Sequence, residues 1–344
     1  MAALTALLLA LFFGLYGCMS PALEPVPPSV DLVWPTSGEK PRIRFINSVS
    51  RPEDFQITPG VLMRFWNYVV GKEDDTLVAP YGVTVDSAGR MYVVDTFQRR
   101  VQLYDTSAGK FSAFPADDHP MTSPIGIVVD NDGRIYISES QDGIVKVFND
   151  ANDTSPLTIG KDLLQRPTGI AINQINNELL VVDTKLAQIF RFDLHNLKLK
   201  GSFGAIGVET GQFNNPTNIA VTRDGNILIT DALNFRIQIF SAQGAFQKTF
   251  GSAGNSPGYF SRPRGIASDS DGNIYVVDAL FDNIQIFDKA GRLLMDFGRP
   301  GQKDGEFWMP AGIWIDKNDK IYVADLYNKR IQIFQYLKED GALQ

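Results

Sequence analysis

Residues 263–287 read PRGIASDSDGNIYVVDALFDNIQIF. Three short runs in this stretch have the period-2 pattern of β-strands and are rich in Val, Ile, Tyr and Phe. The segment Asp269-Ser-Asp-Gly272 separates the first two runs. Its composition is typical of a tight hairpin in which glycine adopts a positive φ. The stretch therefore predicts consecutive antiparallel strands joined by short turns.

The same pattern recurs along the chain. Each copy begins with a proline followed two residues later by glycine, or by asparagine in one copy, and the prolines are 43 to 49 residues apart. The copies begin at Pro80, Pro124, Pro167, Pro216, Pro263 and Pro310. After the second run come an acidic residue, a loop, a third run such as Ile237-Gln-Ile-Phe240, and a fourth such as Arg292–Phe297. Six such copies predict an all-β fold, a six-bladed β-propeller of four-stranded antiparallel blades.

The ends of the chain predict how the ring closes. The sixth copy ends after its third run, at Tyr336-Leu337, and an unassigned run, Arg42–Ile46, precedes the first copy. We expect this N-terminal strand to be the fourth strand of the last blade, which hides two open sheet edges. A length of 344 residues suggests two or three domains. The repeat instead predicts one propeller over residues 41–338, followed by a tail at 339–344.

The N-terminus predicts export and lipidation. Residues 1–17 are almost entirely apolar, too short to span a bilayer and typical of a signal peptide, although no Lys or Arg precedes the apolar run. Leu15-Tyr16-Gly17-Cys18 resembles the lipobox of bacterial lipoproteins, which implies a lipid such as palmitate on Cys18. Met19 follows the cysteine, and the sorting rule of such lipoproteins then implies the outer membrane. Residues 18–40 are proline-rich and predict an extended tether. A plain secretory signal or an uncleaved apolar terminus remains the alternative.

Two copies carry a family resemblance. Asp231-Ala-Leu-Asn-Phe-Arg-Ile-Gln-Ile-Phe240 and Asp325-Leu-Tyr-Asn-Lys-Arg-Ile-Gln-Ile-Phe334 resemble the NHL repeat, and the resemblance extends over residues 42–337. It implies a six-bladed NHL-type propeller, of the kind that commonly acts as an interaction scaffold or a sensor. The second and third copies depart most from the pattern, since Glu139 replaces the aspartate in the second.

Composition disfavours several functions. One cysteine excludes an intramolecular disulfide and a thiolate zinc site. The two histidines, His119 and His195, cannot provide three imidazoles to one metal and are not placed to form a dyad. A net charge of −7 disfavours a nucleic-acid partner.

The strand order predicts a binding face. The loop that precedes each first strand, here called the leading loop, and the loop between the second and third strands emerge on the same side, here called the upper face. Several loop residues there are apolar or aromatic, and exposed groups of such residues mark interaction surfaces. The candidates for partner binding are Tyr81, Phe97, Arg99, Lys185, Leu233, Arg264, Phe281, Trp308 and Tyr327. Some loop aromatics can instead pack between blades, and we expect this of Phe213, Phe260 and Phe307.

The acidic residue that closes each second strand has two interpretations. These residues are Asp95, Glu139, Asp183, Asp231, Asp278 and Asp325. The preferred interpretation is structural: each acid accepts backbone N–H groups in its own blade. The other is a calcium site in the channel, built from some of these acids with Asn218.

These observations favour a non-catalytic lipoprotein of the bacterial cell envelope. Its propeller, a monomer without a required cofactor, is expected to bind an envelope protein or peptide, with the membrane contacted through the N-terminal lipid. Six-bladed relatives include calcium-dependent lactonases, so a calcium-dependent hydrolase is the alternative. Glycan binding through ring faces of Tyr81, Trp308 and Tyr327 is a third hypothesis.

Overall fold

The computed structural model describes residues 32–36, 38, 40–57, 75–116 and 120–338. The predicted signal peptide, Cys18, most of the predicted tether, His119 and the tail at 339–344 lie outside these ranges. Two short 3-10 helices are present in the described ranges, Pro52–Phe55 and Ala232–Asn234. None of the helices described there has the length and apolar character needed to cross a membrane.

The strands are numbered in chain order. Before the first repeat are β1 (Val33–Trp34) and β2 (Ile43–Val49). Blade 1 consists of β3 (Pro80–Val85), β4 (Met91–Asp95), β5 (Arg100–Asp105) and β6 (Lys110–Phe114). Blade 2 consists of β7 (Pro124–Val129), β8 (Ile135–Glu139), β9 (Ile144–Phe148) and β10 (Leu157–Ile159). Blade 3 consists of β11 (Pro167–Asn173), β12 (Glu178–Asp183), β13 (Gln188–Asp193) and β14 (Leu199–Phe203).

The second half of the ring repeats this arrangement. Blade 4 consists of β15 (Pro216–Val221), β16 (Ile227–Asp231), β17 (Arg236–Phe240) and β18 (Phe246–Phe250). Blade 5 consists of β19 (Pro263–Ser268), β20 (Ile274–Asp278), β21 (Asn283–Phe287) and β22 (Leu293–Phe297). Blade 6 contains β23 (Ile313–Ile315), β24 (Lys320–Asp325) and β25 (Arg330–Tyr336). Within each blade the strands pair antiparallel in chain order, so the predicted six-bladed fold is confirmed.

The last blade joins both ends of the described chain. Strand β2 pairs antiparallel with β25, with Ile43 opposite Tyr336 and Val49 opposite Ile331. The predicted closure by an N-terminal strand is therefore confirmed. Strand β1 adds a fifth strand outside β2, and the Trp34 ring lies 5.8 Å from the ring of Phe334. The sheet thus begins ahead of residue 41, within the segment expected to be tether.

The core is divided among the interfaces between neighbouring blades. Each interface buries β-branched and aromatic side chains from the facing sheets, as Val93 of blade 1 and Ile331 of blade 6 illustrate. The leading loops of blades 4, 5 and 6 each insert one phenylalanine that is fully buried. These are Phe213, Phe260 and Phe307. Their rings lie 5.6 to 5.9 Å from a phenylalanine of the third strand, so these loops are anchored by aromatic packing.

The inner strands approach one another closely. A Cβ at Gly169 would lie 2.7 Å from the Cα of Asn218 and 2.9 Å from the carbonyl oxygen of Thr217, both in the next blade. At Gly265 it would lie 2.6 Å from the carbonyl oxygen of Ala311. The Pro-x-Gly motif therefore keeps the channel narrow near the upper face.

The hairpins between first and second strands lie on the opposite, lower face and contain a second repeated contact. In four blades the tyrosine hydroxyl of the second strand donates to a hairpin aspartate. The pairs are Tyr92–Asp86, Tyr136–Asp130, Tyr275–Asp269 and Tyr322–Asp316. Burial and the neighbouring carboxylate raise the pKa of these tyrosines. Where the acid is replaced, by Asn173 or Thr222, the tyrosine is replaced as well, by Leu180 or Leu228. The tyrosine and the aspartate are therefore either both present or both replaced in a blade.

Candidate binding face and central channel

The strand register fixes which loops share the upper face. Pro80 at the start of β3 lies opposite Asp95 at the end of β4, and four further blades repeat this pairing. The leading loops and the loops between second and third strands therefore emerge together. The upper face expected from the sequence is thus a geometric consequence of this register.

Exposed apolar side chains are concentrated on this face. Phe97 is 73% exposed, Leu233 and Tyr327 are each 54% exposed, and Trp308 is 48% exposed. The rings of Trp308 and Tyr327 are in edge contact, with centroids 5.5 Å apart. Further exposed apolar residues of the upper face are Ile206, Val208, Tyr259 and Leu280. Most of these residues come from blades 4, 5 and 6, and Phe97 comes from the adjoining blade 1.

Sequence reasoning missed Ile206 and Val208. Both lie in the leading loop of blade 4, which has glycines at 204, 207 and 211 before the buried Phe213. The leading loops of blades 5 and 6 have the same Gly-x-x-Gly-x-x-x-Gly-x-Phe spacing. In each of the three loops the buried phenylalanine itself forms a parallel β-bridge with a residue seven positions earlier in the same loop. This spacing was the signal that could have identified three related loops.

Other predicted site residues have different positions. Arg99 and Lys185 are exposed at loops of blades 1 and 3. Phe281 is half-buried rather than exposed, and the neighbouring Leu280 is 54% exposed in its place. The backbone N–H groups of both residues donate to Asp278, so both belong to the same turn. The expectation of an exposed phenylalanine at 281 is therefore corrected.

Tyr81 and Arg264 meet at the upper end of the channel. Each directly follows the proline that begins an inner strand, in blades 1 and 5 respectively. The Arg264 guanidinium lies 6.0 Å from the centre of the Tyr81 ring, and both residues are half-buried. Burial lowers the pKa of Arg264.

The repeat acids are fully buried and engaged in hydrogen bonds. Asp95 accepts the backbone N–H groups of Val78 and Phe97, and Asp183 accepts those of Gln165 and Leu186. Asp278 likewise accepts N–H groups on both sides, from Ser261 and Leu280 among others. Each of these acids joins a leading loop to the loop that follows its own strand.

The two copies closest to the NHL pattern use side chains for the same purpose. Asp231 accepts the Asn214 backbone N–H, the Asn234 amide, the Arg236 guanidinium and the Gln238 amide. In blade 6 the corresponding contacts of Asp325 involve Trp308, Asn328, Arg330 and Gln332. Both arginines also donate to carbonyl oxygens of the leading loop. The Asn-x-Arg-x-Gln residues therefore hold the leading loop on the blade.

Blade 2 has a different arrangement. Glu139 accepts the Ser123 backbone N–H at 2.7 Å, and its second carboxylate oxygen lies 3.4 Å from the ammonium of Lys146. Burial raises the pKa of Glu139, and Lys146 opposes this effect. Lys146 occupies the position of Gln238 in blade 4. A glutamate and a lysine together thus replace an aspartate and a glutamine.

The inner strands surround a channel with a volume of about 390 Å³. Its lining extends from Gly82 and Asn218 to Gln174 and Lys317, which are exposed on the lower face. Trp314 contacts both the core between blades 6 and 1 and the core between blades 2 and 3, so its ring extends across the channel. Its indole N–H is buried and has no hydrogen-bond partner among the described residues.

The described ranges contain no cluster of three or more His, Cys, Asp or Glu side chains with the spacing to hold a metal. Asn218 lines the channel, but the repeat acids point into the loops of their own blades. These acids and Asn218 therefore do not form the oxygen cluster that a channel calcium site requires.

The blade geometry and the loop anchoring place this chain in the class of six-bladed β-propellers. A family model described as a 6-bladed beta-propeller matches residues 209–284 and 267–340. The B-box type zinc finger protein ncl-1 of Caenorhabditis elegans and Protein brain tumor of Drosophila melanogaster are each 44% identical to this chain over 45 residues, or 13% of it. Those residues cover 5% and 4% of the two relatives, so the chain matches only a small part of their length.

Solved structures share the fold. A protein of unknown function from Bacteroides thetaiotaomicron has a TM-score of 0.60 at 19% identity, over 75% of this chain and 70% of its own. An auxiliary nutrient binding protein from Bacteroides ovatus has a TM-score of 0.60 at 13% identity, over 77% and 71%. Virginiamycin B lyase from Staphylococcus aureus has a TM-score of 0.57 at 16% identity, over 76% and 96%. The fold is thus shared with a nutrient binding protein, an enzyme and a protein of unknown function.

Proposed function

We propose that this protein is a non-catalytic binding module whose upper face binds a protein or peptide of the bacterial cell envelope. The observation that carries the proposal is the concentration of exposed apolar residues on that face. Aromatic side chains such as Trp308 and Tyr327 bury large areas at little cost in conformational entropy, as residues that dominate binding interfaces do. The loops that present them are rigidly anchored by buried phenylalanines and by the repeat acids, which favours a preformed surface.

The occupied hydrogen bonds of the repeat acids support binding over calcium-dependent hydrolysis. A carboxylate that accepts two or more backbone N–H groups inside a protein would have to give up those bonds to bind a metal. Asp183 and Asp278 are in this position. The fold similarity to an auxiliary nutrient binding protein is compatible with a binding role, although it is a similarity of fold alone.

The location proposed for this function is the outer membrane, through a lipid on Cys18. The support is the lipobox-like sequence before that cysteine and Met19 after it. Cells expressing the wild-type protein or Cys18→Ser are labelled with a palmitate analogue. Label on the wild-type protein alone, with loss of membrane association in the variant, is the expected result. Unlabelled wild-type protein would remove the lipid anchor from the proposal.

The binding face is tested by a triple variant, Phe97→Ser, Trp308→Ser and Tyr327→Ser. A matched control carries Leu157→Ser, Ile175→Ser and Leu294→Ser, three similarly exposed residues away from the upper face. Affinity purification after crosslinking in envelope membranes should recover a partner with the wild type and the control. Recovery with the upper-face variant should fall at least about tenfold, because aromatic contacts often dominate such interfaces. Equal recovery by both variants would reject this face.

Metal analysis tests the enzymatic alternative. Purified protein is dialysed against micromolar calcium, and its metal content is measured together with hydrolysis of a panel of lactones. We expect less than one calcium per chain and no turnover. Stoichiometric calcium with turnover that a chelator abolishes would overturn the non-catalytic proposal.

A further inference from the structure

Arg264 occupies an unusual electrostatic position. Its guanidinium lies half-buried at the upper end of the channel, where it faces the Tyr81 ring at 6.0 Å. Its nearest protein acceptor is the Pro310 carbonyl oxygen, 3.5 Å from Nη1, which is at the limit of a hydrogen bond. Among the described residues, most of the donor capacity of this side chain is therefore unused.

Several other half-buried or buried arginines of the ring are paired with carboxylates. Arg236 lies 2.8 Å from Asp231, and Arg330 lies 2.8 Å from Asp325. In the part of the chain that the structure describes, Arg264 forms no ion pair. Burial is the main cause that lowers the pKa of Arg264, the neighbouring cation Arg262 lowers it further, and Tyr81 and Tyr327 oppose this effect. The result is a partly desolvated cation without a counter-ion among the described residues.

This state has a free-energy cost. Removing a charge from water is unfavourable unless an opposite charge or hydrogen bonds replace the lost solvation. Burial accordingly lowers the pKa of Arg264. A guanidinium offers five N–H donors in a planar fork that matches the two oxygens of a carboxylate. A ligand carboxylate would therefore restore the missing interactions.

The surroundings of Arg264 suit a peptide. Trp308 and Tyr327, whose rings are in edge contact, lie on the upper face of blade 6, the blade next to that of Arg264. The cation and the aromatic rings of this face together fit a carboxylate flanked by apolar side chains.

We propose that Arg264 binds a carboxylate of a peptide segment whose neighbouring apolar side chains lie on Trp308 and Tyr327. The proposal rests on the binding function of the upper face and specifies its ligand as an acidic, apolar peptide. The carboxylate comes from either an Asp or Glu side chain or a free C-terminus, which offer the same chemistry.

Selected peptides provide the test. A phage-displayed library of random peptides of about twelve residues is selected on the wild-type protein, and the tightest binder is synthesised in matched forms. These forms have the acidic side chains intact or replaced by their amides, and the C-terminus free or amidated. Fluorescence anisotropy measures each form with the wild type, Arg264→Gln, Arg264→Lys and Arg262→Gln. The last variant is a matched control, since Arg262 is exposed on the same face.

The expected result is a loss of about tenfold or more for Arg264→Gln with the acidic peptide, the range found for close charge pairs. Amidating the responsible carboxylate should cause a similar loss with the wild type and no further loss with Arg264→Gln. Arg262→Gln should change affinity less than about threefold. Arg264→Lys should recover part of the affinity, because it keeps the charge but not the planar fork.

Two kinds of failure are distinguishable. If peptides bind but their affinity depends neither on the carboxylate nor on Arg264, this inference is overturned. If these peptides still lose affinity with the triple variant of Phe97, Trp308 and Tyr327, the proposed function stands. Selected peptides that are insensitive to the triple variant, or a selection that yields none, would contradict both. Thermal unfolding of each variant verifies that a lost affinity does not reflect a lost fold.

Discussion

The glycine of the Pro-x-Gly motif is required by a close approach of two backbones. The five glycines at this position have no positive φ, unlike those in the hairpins. At Gly169, three backbone atoms of blade 4 lie between 2.7 and 3.0 Å from where a Cβ would be. Backbone atoms in the middle of a sheet cannot move aside as the end of a flexible side chain can. The motif is thus a packing requirement between blades.

Gly169→Ala should therefore destabilise the protein. We expect a loss of about 1–3 kcal/mol in the free energy of unfolding, the usual cost of overpacking a tight core. Urea denaturation followed by circular dichroism measures it. Asn218→Ala is the matched control, because this residue occupies the same motif position in blade 4 and already has a Cβ. Its expected change is below about 0.5 kcal/mol. Similar losses in both variants would contradict the close-approach explanation.

At the scale of single elements, blade 2 has a glutamate and a lysine where blades 4 and 6 have an aspartate and a glutamine. Glu139 is longer than the aspartate of the other blades and reaches Lys146 on the adjacent strand. The corresponding glutamines, Gln238 and Gln332, donate instead to a leading-loop carbonyl oxygen and to the repeat acid. The lysine supplies a positive charge that balances a fully buried carboxylate.

Lys146→Gln alone should leave the buried Glu139 without its cation. Breaking a buried pair costs about 3–5 kcal/mol, and the partial exposure of Lys146 reduces our expectation to about 1–3 kcal/mol. The double variant Lys146→Gln with Glu139→Asp, which restores the composition of blade 4, should recover most of the loss. Urea denaturation at pH 7 measures all three proteins. A double variant no more stable than Lys146→Gln would contradict the explanation that Glu139 and Lys146 together replace an aspartate and a glutamine.

The stability lost in Lys146→Gln should also depend on pH. The pKa of Glu139 is raised in the folded state by burial, so the folded protein binds its proton more readily than the unfolded chain does. This contribution to stability is fully present below the unfolded pKa, near 4.5, and is lost as the pH rises through the folded pKa. The deficit of Lys146→Gln relative to the wild type should therefore be smaller at pH 4 than at pH 7.

The elements were largely predictable because their residues recur at fixed spacing. Proline, glycine, the acid and the Ile-Gln-Ile-Phe run define each blade, and the missing fourth strand of the last copy pointed to β2. The orientation of loop side chains was not predictable in this way. Leu280 and Phe281 are adjacent, apolar and part of the same turn, but only Leu280 is exposed to solvent. Two further features depend on neighbours from distant blades, which no local pattern contains: the lack of an ion pair for Arg264 among the described residues, and the placement of Trp314 across the channel.

At the scale of the whole molecule, the two faces differ in chemistry. The upper face has the anchored leading loops of blades 4, 5 and 6 and most of the exposed aromatic residues. The lower face has polar hairpins, with tyrosine–aspartate pairs in four blades, and includes the exposed end of the channel. The channel extends from residues near the upper face, such as Gly82 and Asn218, to the exposed Gln174 and Lys317 of the lower face, whereas the exposed aromatic residues are concentrated on the upper face alone. A large partner on the upper face would leave the lower end of the channel accessible.

Ring closure depends on one strand that joins the two ends of the described chain. Ile43 of β2 is fully buried in the core between blades 5 and 6, whereas Ile46 on the same strand is 47% exposed. Ile43→Ala should lower the free energy of unfolding by about 2–4 kcal/mol, since it leaves a cavity. Ile46→Ala should change it by less than about 0.5 kcal/mol.

The distribution of the stability loss in Ile43→Ala over the blades tests whether the ring is closed. In a closed ring every blade packs against two neighbours, so weakening the joined blade should weaken the cooperative unit as a whole. Hydrogen exchange followed by mass spectrometry should show amides of blade 3, far from β2, losing as much protection as amides of blade 6. Urea unfolding should keep a single transition with an unchanged slope. Faster exchange confined to β1, β2 and β25 would instead indicate local fraying of blade 6, as in an open repeat array whose terminal unit unfolds alone.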